Sequence, residues 1–371
     1  MQKTSRTWSL IEELRPGRLI TSLTAGLIAG IILVAYSVSF AALAYGDLPD
    51  VVARGIGFTM FGATVMAAVM ALTSSYPGMV TTPQDVPAAI LALATAGIGA
   101  SMAATATDSE IFVTALATVV ICTLVTGLFF LGLGYFNLGD LVRFLPYPVI
   151  GGFLAGTGWL LTIGGLGVMT GLSLNFSRLV LLLQPDLVLR WLPGLVFAVA
   201  LLVIQSRFNH YLVMPAMIVG AIGLFYCFLW VTGTPVGLVS AGGWLIGPFP
   251  GENLWEPLDP TYLSDVNWSV VLGQAGNIGT ILIVSVVGLL LNATGLELIF
   301  GRDVDLNREL RAAGWGNVGA GLGGGLPGYH ALSLSALGHK IGGNSRLIGL
   351  FAAGVVGGAL ILGPSGLALV P

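Results

Sequence analysis

Long apolar runs alternate with short polar breaks along the whole chain. Segments are predicted at roughly 19–45, 52–74, 85–99, 110–134, 146–169, 187–205, 211–232, 277–300, 311–325, 327–340 and 346–364. The runs are continuous and lack the in–out alternation of membrane strands, so each reads as a helix that satisfies its own backbone in lipid. Two of them are broken and short. In TTPQDVPAAILALATAG, from Thr81, Pro83 and Pro87 forbid a regular helix before about Asp85. Asp85 is placed to cap that helix, with Pro87 in its first turn. In GAGLGGGLPGYHALSLSALGH, Gly319 to His339, glycines and Pro327 interrupt the run, and only 11 residues follow Pro327 before the polar His339-Lys340. A full crossing needs about 20. Pro327 is read as a first-turn residue of a half-helix that begins near the bilayer midplane.

Composition turns this pattern into a class. The chain is 56% hydrophobic and 8% charged, against about 25% charged in soluble domains. That implies an all-α polytopic membrane protein, with the lipid bilayer as its surroundings and no sizeable soluble domain. A net charge of −3 gives no reason to expect nucleic acid. Cys122 and Cys227 both lie in apolar runs, and no disulfide is expected. The first 20 residues carry charges throughout and no cleavage site, so no removable signal peptide is expected. The expected organisation is an amphipathic cytoplasmic segment at 1–17, a first repeat of segments 1–7 at 18–232, an extracytoplasmic loop at 233–266, and an incomplete second repeat of segments 8–11 at 267–371.

Basic residues orient the chain. With the N-terminus inside, eleven Lys and Arg fall on the inner side, and Arg54, Arg178 and Arg190 fall outside. Segment 3 then starts midway and runs outward, while segment 10 starts midway and runs inward. Two interrupted segments of opposite direction are the mark of inverted-topology repeats.

Each half-helix N-terminus carries about half a positive charge and unpaired N–H groups. Two facing one another make an anion site without a buried Lys or Arg. The amides assigned to it are those of Gln84, Asp85 and Val86 on one side and Tyr329, His330 and Ala331 on the other, with Ser333 nearby. The bland alternative is that Pro and Gly merely kink ordinary helices. Asp85 has two readings: it only caps its helix, or it pairs with His330 across the site and links transport to protons. Asn292, Thr294 and Glu297, on segment 8, are candidate ligands for a coupling cation. Glu297 is also about one turn from Arg302, and interfacial pairing is its alternative. Sodium and protons are the coupling ions considered, and no other cofactor or metal is expected. A formal G-x-G-x-x-G, Gly319 to Gly324, has no strand before it and no acid about 20 residues on, which rejects a dinucleotide site.

Two motifs carry a resemblance. RFLPYPVIGGFLAGTGWLL (Arg143 to Leu161) resembles the fifth-helix signature of the SulP anion transporters, the sulfate permease family. VDLNRELRAAGWGNVGAGLGGGLPGYHALSLSAL (Val304 to Leu337) resembles the same family's NREL…GxGN…GG-P segment, and bacterial, often cyanobacterial, members are the most similar. The resemblance implies two inverted seven-helix repeats, a core domain rocking against a gate domain, and an anion bound between helices 3 and 10. It also implies a homodimer in a bacterial inner (plasma) membrane and a cytoplasmic STAS domain after the last helix. The chain departs from the family pattern at four places. Leu334 stands where many members carry Arg, and His330 is the nearby cationic candidate. Asn292 stands where prokaryotic members usually carry an acid that helps hold sodium or a proton. Gln84 and Asp85 stand where helix 3 usually has small residues. GPSGLALVP ends the chain where helix 12 should begin, so a fragment lacking helices 12–14 is expected.

The expected function is secondary transport of a small inorganic anion: sulfate, bicarbonate or chloride. The alternatives are a non-transporting scaffold or regulatory remnant and, on the same architecture, a nucleobase permease, whose signature acids are not evident. No residue pattern supports an enzyme.

Overall fold

Glycines and capping side chains punctuate the apolar runs, and helices end where they stand. Thr107 and Glu110 close a capping box at one helix start, each bonding the other's backbone N–H. Asp305 caps another by accepting from the Arg308 amide at 3.0 Å. Two helices stop at Gly233 and Gly301, both left-handed at φ 66° and 63°, where a side chain would be strained.

The computed structural model describes residues 16–46, 52–139, 147–172, 174, 178–208, 210, 212–245, 254–341, 343–363 and 367–370. The expected amphipathic segment at 1–17 lies almost wholly outside the described residues, as do the first residues of the Arg143 motif. The first-half helices are α1 (Pro16–Tyr45), α2 (Val52–Thr73), α3 (Asp85–Met102), α4 (Asp108–Tyr135), α5 (Tyr147–Thr170), α6 (Pro185–Arg207) and α7 (Val213–Thr232). The second half supplies α8 (Ala275–Phe300), α9 (Leu306–Leu322), α10 (Leu332–Lys340) and α11 (Leu347–Leu362).

Every predicted segment is helical over most of its described length, with one informative difference. The tenth helix starts at Leu332, not at Pro327. Between them lies a strand, β2 (Gly328–His330), paired antiparallel with β1 (Thr81–Pro83) just before α3. The fold is helical as expected, and this two-stranded ribbon is a short addition to it. The register is Thr81 opposite His330, Thr82 opposite Tyr329 and Pro83 opposite Gly328.

The largest buried clusters lie mainly in α1–α4 and α8–α11. There α9 packs along α4 and α2, and α11 packs along α1 and α2. Glycine makes these approaches possible: a Cβ at Gly314 would stand 2.9 Å from the Gly127 carbonyl oxygen, and one at Gly349 would stand 2.9 Å from that of Met79. By contrast α6 buries none of its residues and packs beside α5 and α7. The result is a dense body carrying the ribbon and a looser helical layer alongside it.

Candidate substrate site

The ribbon organises the site. The Gln84 amide donates to the Pro327 carbonyl at 3.1 Å, and the Ala331 amide donates to the Val80 carbonyl at 2.9 Å. Bonded and non-bonded pairs alternate in an antiparallel ladder, so Thr82–Tyr329 falls in the bonded register and Pro83–Gly328 in the non-bonded one. Pro83, which has no N–H, therefore loses nothing there. The outer edge at Gly328 is closed by Asn317 of α9. Its Nδ2 donates to the Gly328 carbonyl at 2.7 Å, and its Oδ1 accepts the Gly328 amide at 2.9 Å. Gln84 Nε2 donates to the Tyr329 carbonyl at 3.0 Å, and Asn292 Nδ2 of α8 donates to the His330 carbonyl at 2.8 Å.

These bonds relocate the amides available to a ligand. Those of Gln84, Tyr329 and Ala331 are consumed by the ladder, contrary to the sequence expectation. The first intrahelical bond of α10 runs from the Ser335 amide to the Ala331 carbonyl at 3.0 Å. The amides of Leu332, Ser333 and Leu334 are then the unpaired ones of its first turn, and Ala331 offers no side-chain cap. In α3 the N-cap is Gln84, not Asp85, again without a side-chain cap. Asp85 is the first helical residue, and its Oδ1 accepts the Val86 amide at 2.9 Å. Pro87 follows in the first turn, as expected.

Asp85 is half-buried, and its carboxylate lies within electrostatic reach of the Tyr36 and Tyr329 hydroxyls. Tyr36 in turn approaches Met214 Sδ of α7 at 4.0 Å. Ser333 is exposed on the first turn of α10. Leu334 is buried among Ala25, Ile28 and Ile348, away from this opening.

His330 does not pair with Asp85. Its Nε2 is 2.5 Å from Oε2 of Glu309, and both side chains are fully buried. The sequence reading missed Glu309, although a signal was present. Leu306, Glu309, Leu310 and Ala313 are spaced to share one helical face, and all four are buried. A carboxylate on an apolar stripe is a functional hypothesis by default.

Each of the three coupling-cation candidates is already bonded within the protein. Asn292 is held on the ribbon, Thr294 Oγ1 donates to its own helix at Leu290, and Glu297 Oε1 accepts the Val304 amide at 3.0 Å. Nor does Glu297 pair with Arg302, which donates to Asn344 Oδ1 at 3.0 Å and lies over the Tyr76 ring. Among the described residues, no group of three or more His, Cys, Asp or Glu is placed to hold a metal ion.

Two helices leaving one ribbon in opposite directions, within a bundle of apolar helices, define a multi-pass membrane protein of the inverted-repeat transporter fold. Solved structures show the same fold. The transmembrane domain of the cyanobacterial bicarbonate transporter BicA superposes with a TM-score of 0.70 at 20% identity, over 96% of this chain and 86% of that one. SLC26A9 superposes at 0.75 and 19% identity, over 98% of this chain and 57% of that one. The chain belongs to the sulfate permease family, whose model matches residues 19–371. Among curated relatives, the vacuolar basic amino acid transporter VSB1 of Saccharomyces cerevisiae is 26% identical over 71% of this chain and 26% of its own length. The probable sulfate transporter Rv1739c of Mycobacterium tuberculosis is 28% identical over 77% of this chain and 49% of its own. BicA of Picosynechococcus sp. is 26% identical over 85% and 53%. The chain thus spans about half the length of the curated relatives it matches, or less. These relatives are transporters, not enzymes.

Proposed function

We propose that the chain forms the substrate-binding part of a secondary transporter that moves a small anion by alternating access. The observation that carries this reading is the uncapped first turn of α10, whose Leu332, Ser333 and Leu334 amides open beside the start of α3. Unpaired amides and a helix dipole favour an anion without a buried cation. Sulfate, bicarbonate and chloride are the candidates. The dense body would carry the site, and the looser layer of α5–α7 would be what it moves against. Saturable uptake of labelled sulfate, bicarbonate or chloride into liposomes holding the chain tests this. Well-folded protein that takes up none of them would remove the reading.

Asp85 favours a second reading. At an effective dielectric constant of about 20, like charges about 5 Å apart repel by roughly 3 kcal/mol. A fixed carboxylate beside the anion site therefore suits a substrate that carries an ammonium group as well as a carboxylate. One relative is named a basic amino acid transporter. Asp85→Asn separates the two readings. It should tighten sulfate or bicarbonate by about 10-fold or more if the substrate is an anion, since 1.4 kcal/mol is tenfold. It should weaken labelled arginine by a similar factor if the substrate is an amino acid. Competition binding of both ligands to wild type and variant is the measurement.

A further inference from the structure

The buried pair of Glu309 and His330 is not needed to build the substrate site, yet it sits directly behind it. Glu309 Oε1 accepts from the Ser75 amide at 2.6 Å, from Ser75 Oγ at 2.5 Å and from Ser74 Oγ at 3.0 Å. Ser75 is half-buried, and its hydroxyl accepts the Asp305 amide at 3.3 Å at an exposed edge. That edge lies at the end bearing Arg302, Arg308 and Lys340, the end that the charge distribution assigns to the cytoplasm. A polar line therefore runs from the surface through Ser75 and Glu309 to His330, in the ribbon that carries the substrate site.

The far end of the line is unsatisfied. His330 Nδ1 and Thr81 Oγ1 are both buried and have no hydrogen-bond partner among the described residues. They belong to opposed residues of a non-bonded pair, whose side chains share one face of the ribbon. A hydroxyl can donate to a neutral ring nitrogen or accept from a protonated one. The ring's Nδ1 and the Thr81 hydroxyl therefore share a buried face on which neither is committed to a partner among the described residues.

Other charged groups near the pair have partners of their own: Arg311 Nε donates to the Asn307 carbonyl, and Asp305 Oδ1 accepts the Arg308 amide. Arg346 of α11 donates to the Ala71 and Ser74 carbonyls, and Arg308 Nε donates to the Thr73 carbonyl. Asn292 from α8 reaches only the His330 backbone. From α4, the buried side chains nearest this end are Phe130 and Leu131. Tyr76 turns to His339 at 3.2 Å. The partial positive charge of the α9 N-terminus completes the surroundings.

We propose that Glu309 and His330 together bind one proton, loaded through Ser75 from the basic end, and that its occupancy is coupled to substrate binding at the ribbon. The coupling half of this rests on the transport reading; the proton-binding half does not. A proton arriving at Ser75 Oγ is accepted by the hydroxyl, which hands its own proton to Glu309 Oε1. The carboxyl then turns about its Cγ–Cδ bond and carries that same proton round to the His330 side, where Nε2 of the Nδ1–H tautomer accepts it and a carboxylate is left. Loaded, the pair is carboxylate and imidazolium; unloaded, it is carboxylate and neutral imidazole. Loading makes this part of the body more positive by one unit, so an anion at the ribbon and the proton favour one another. Linkage makes that preference reciprocal.

Two measurements test it. In the first, infrared spectra of the wild-type chain in lipid nanodiscs are compared in alkaline and acidic buffer, with and without 15N-histidine. Imidazole bands should change together with a shift of the carboxylate stretch, and this paired change should vanish in Glu309→Gln. The absence of any such pair of bands in the wild type overturns the proton site, and this result needs neither a substrate nor a variant that folds. In the second, uptake of labelled sulfate, bicarbonate or arginine is followed with and without a proton gradient. The gradient should accelerate wild-type uptake about 10-fold, within the usual range of coupling between sites. The effect should be lost in Glu309→Gln, while substrate exchange continues, and recovered in part by Glu309→Asp. Equal gradient responses in wild type and Glu309→Gln overturn the coupling. Uptake of none of the substrates defeats the transport reading alone, and the infrared result then decides the proton site by itself.

Discussion

Replacing Gly325 with valine should abolish recovery of folded protein. Gly325 lies back to back with Gly62 of α2. A Cβ on Gly325 would stand 2.5 Å from the Gly62 Cα and 3.1 Å from the Ala320 carbonyl oxygen. The reverse approach, from Gly62 to the Gly325 Cα, is 2.6 Å. Both obstacles are backbone, so no side chain can swing away to relieve the clash. The Gly325 carbonyl is also held by Thr123 Oγ1 at 2.8 Å, which fixes the loop from a third helix. Overpacking typically costs about 1–3 kcal/mol where a core can adjust, and this site belongs at or above the top of that range. The measurement is the monodisperse fraction and melting temperature in detergent. Gly358→Val is the matched control, because a Cβ there meets nothing within 4 Å. A Gly325→Val protein that melts like wild type would show the α2 contact to be loose.

Asn317→Ala should give the next largest loss. Asn317 is fully buried and satisfies both polar groups of Gly328, the first ribbon residue after Pro327. Alanine leaves an N–H and a C=O without partners in a packed interior. Each unmade bond costs about 1–3 kcal/mol, so the sum is roughly 2–6 kcal/mol. The ribbon should loosen first and the surrounding helices later. Hydrogen exchange at Gly328 and Tyr329 should therefore accelerate by more than the global melting shift accounts for. Asn317→Asp should not rescue it, because a carboxylate keeps the acceptor and loses the donor. Unchanged exchange at Gly328 would mean that another group holds this edge.

The helices were legible because apolar length is their signal, and Pro83, Pro87 and Pro327 marked the two broken segments. The orientation expected from the basic residues used a second and independent signal. The ribbon was not legible. Three-residue strands are too short to show a period, and Gly328–His330 looks like the continuation of a Gly/Pro break. The consequences follow from that one omission. With no ladder, Gln84, Tyr329 and Ala331 looked like donors to a ligand, when their amides are spent on one another's strands. The partner of His330 was hidden for a different reason. Glu309 lies across the glycine run on another helix, so only the apolar stripe it interrupts could have flagged it. Asn292, a candidate ion ligand from its place in an apolar run, also braces the ribbon, a role its sequence position does not signal.

The ribbon also constrains the order in which the protein can be made. β1 emerges early in synthesis, yet its strand partner among the described residues is β2, and α3 through α9 must be translated between them. Until then the backbone groups of Thr81–Pro83 wait with no ladder, inside a bundle that already holds α1, α2 and α4. Loop closure over so long a separation is slow compared with local helix formation. The newborn chain therefore passes through a stage with inserted helices and an open seam at the future transport site. Quality-control proteases and insertion chaperones would meet the protein in that state, so variants around Gly328 should show first as low abundance in cells and only second as altered transport.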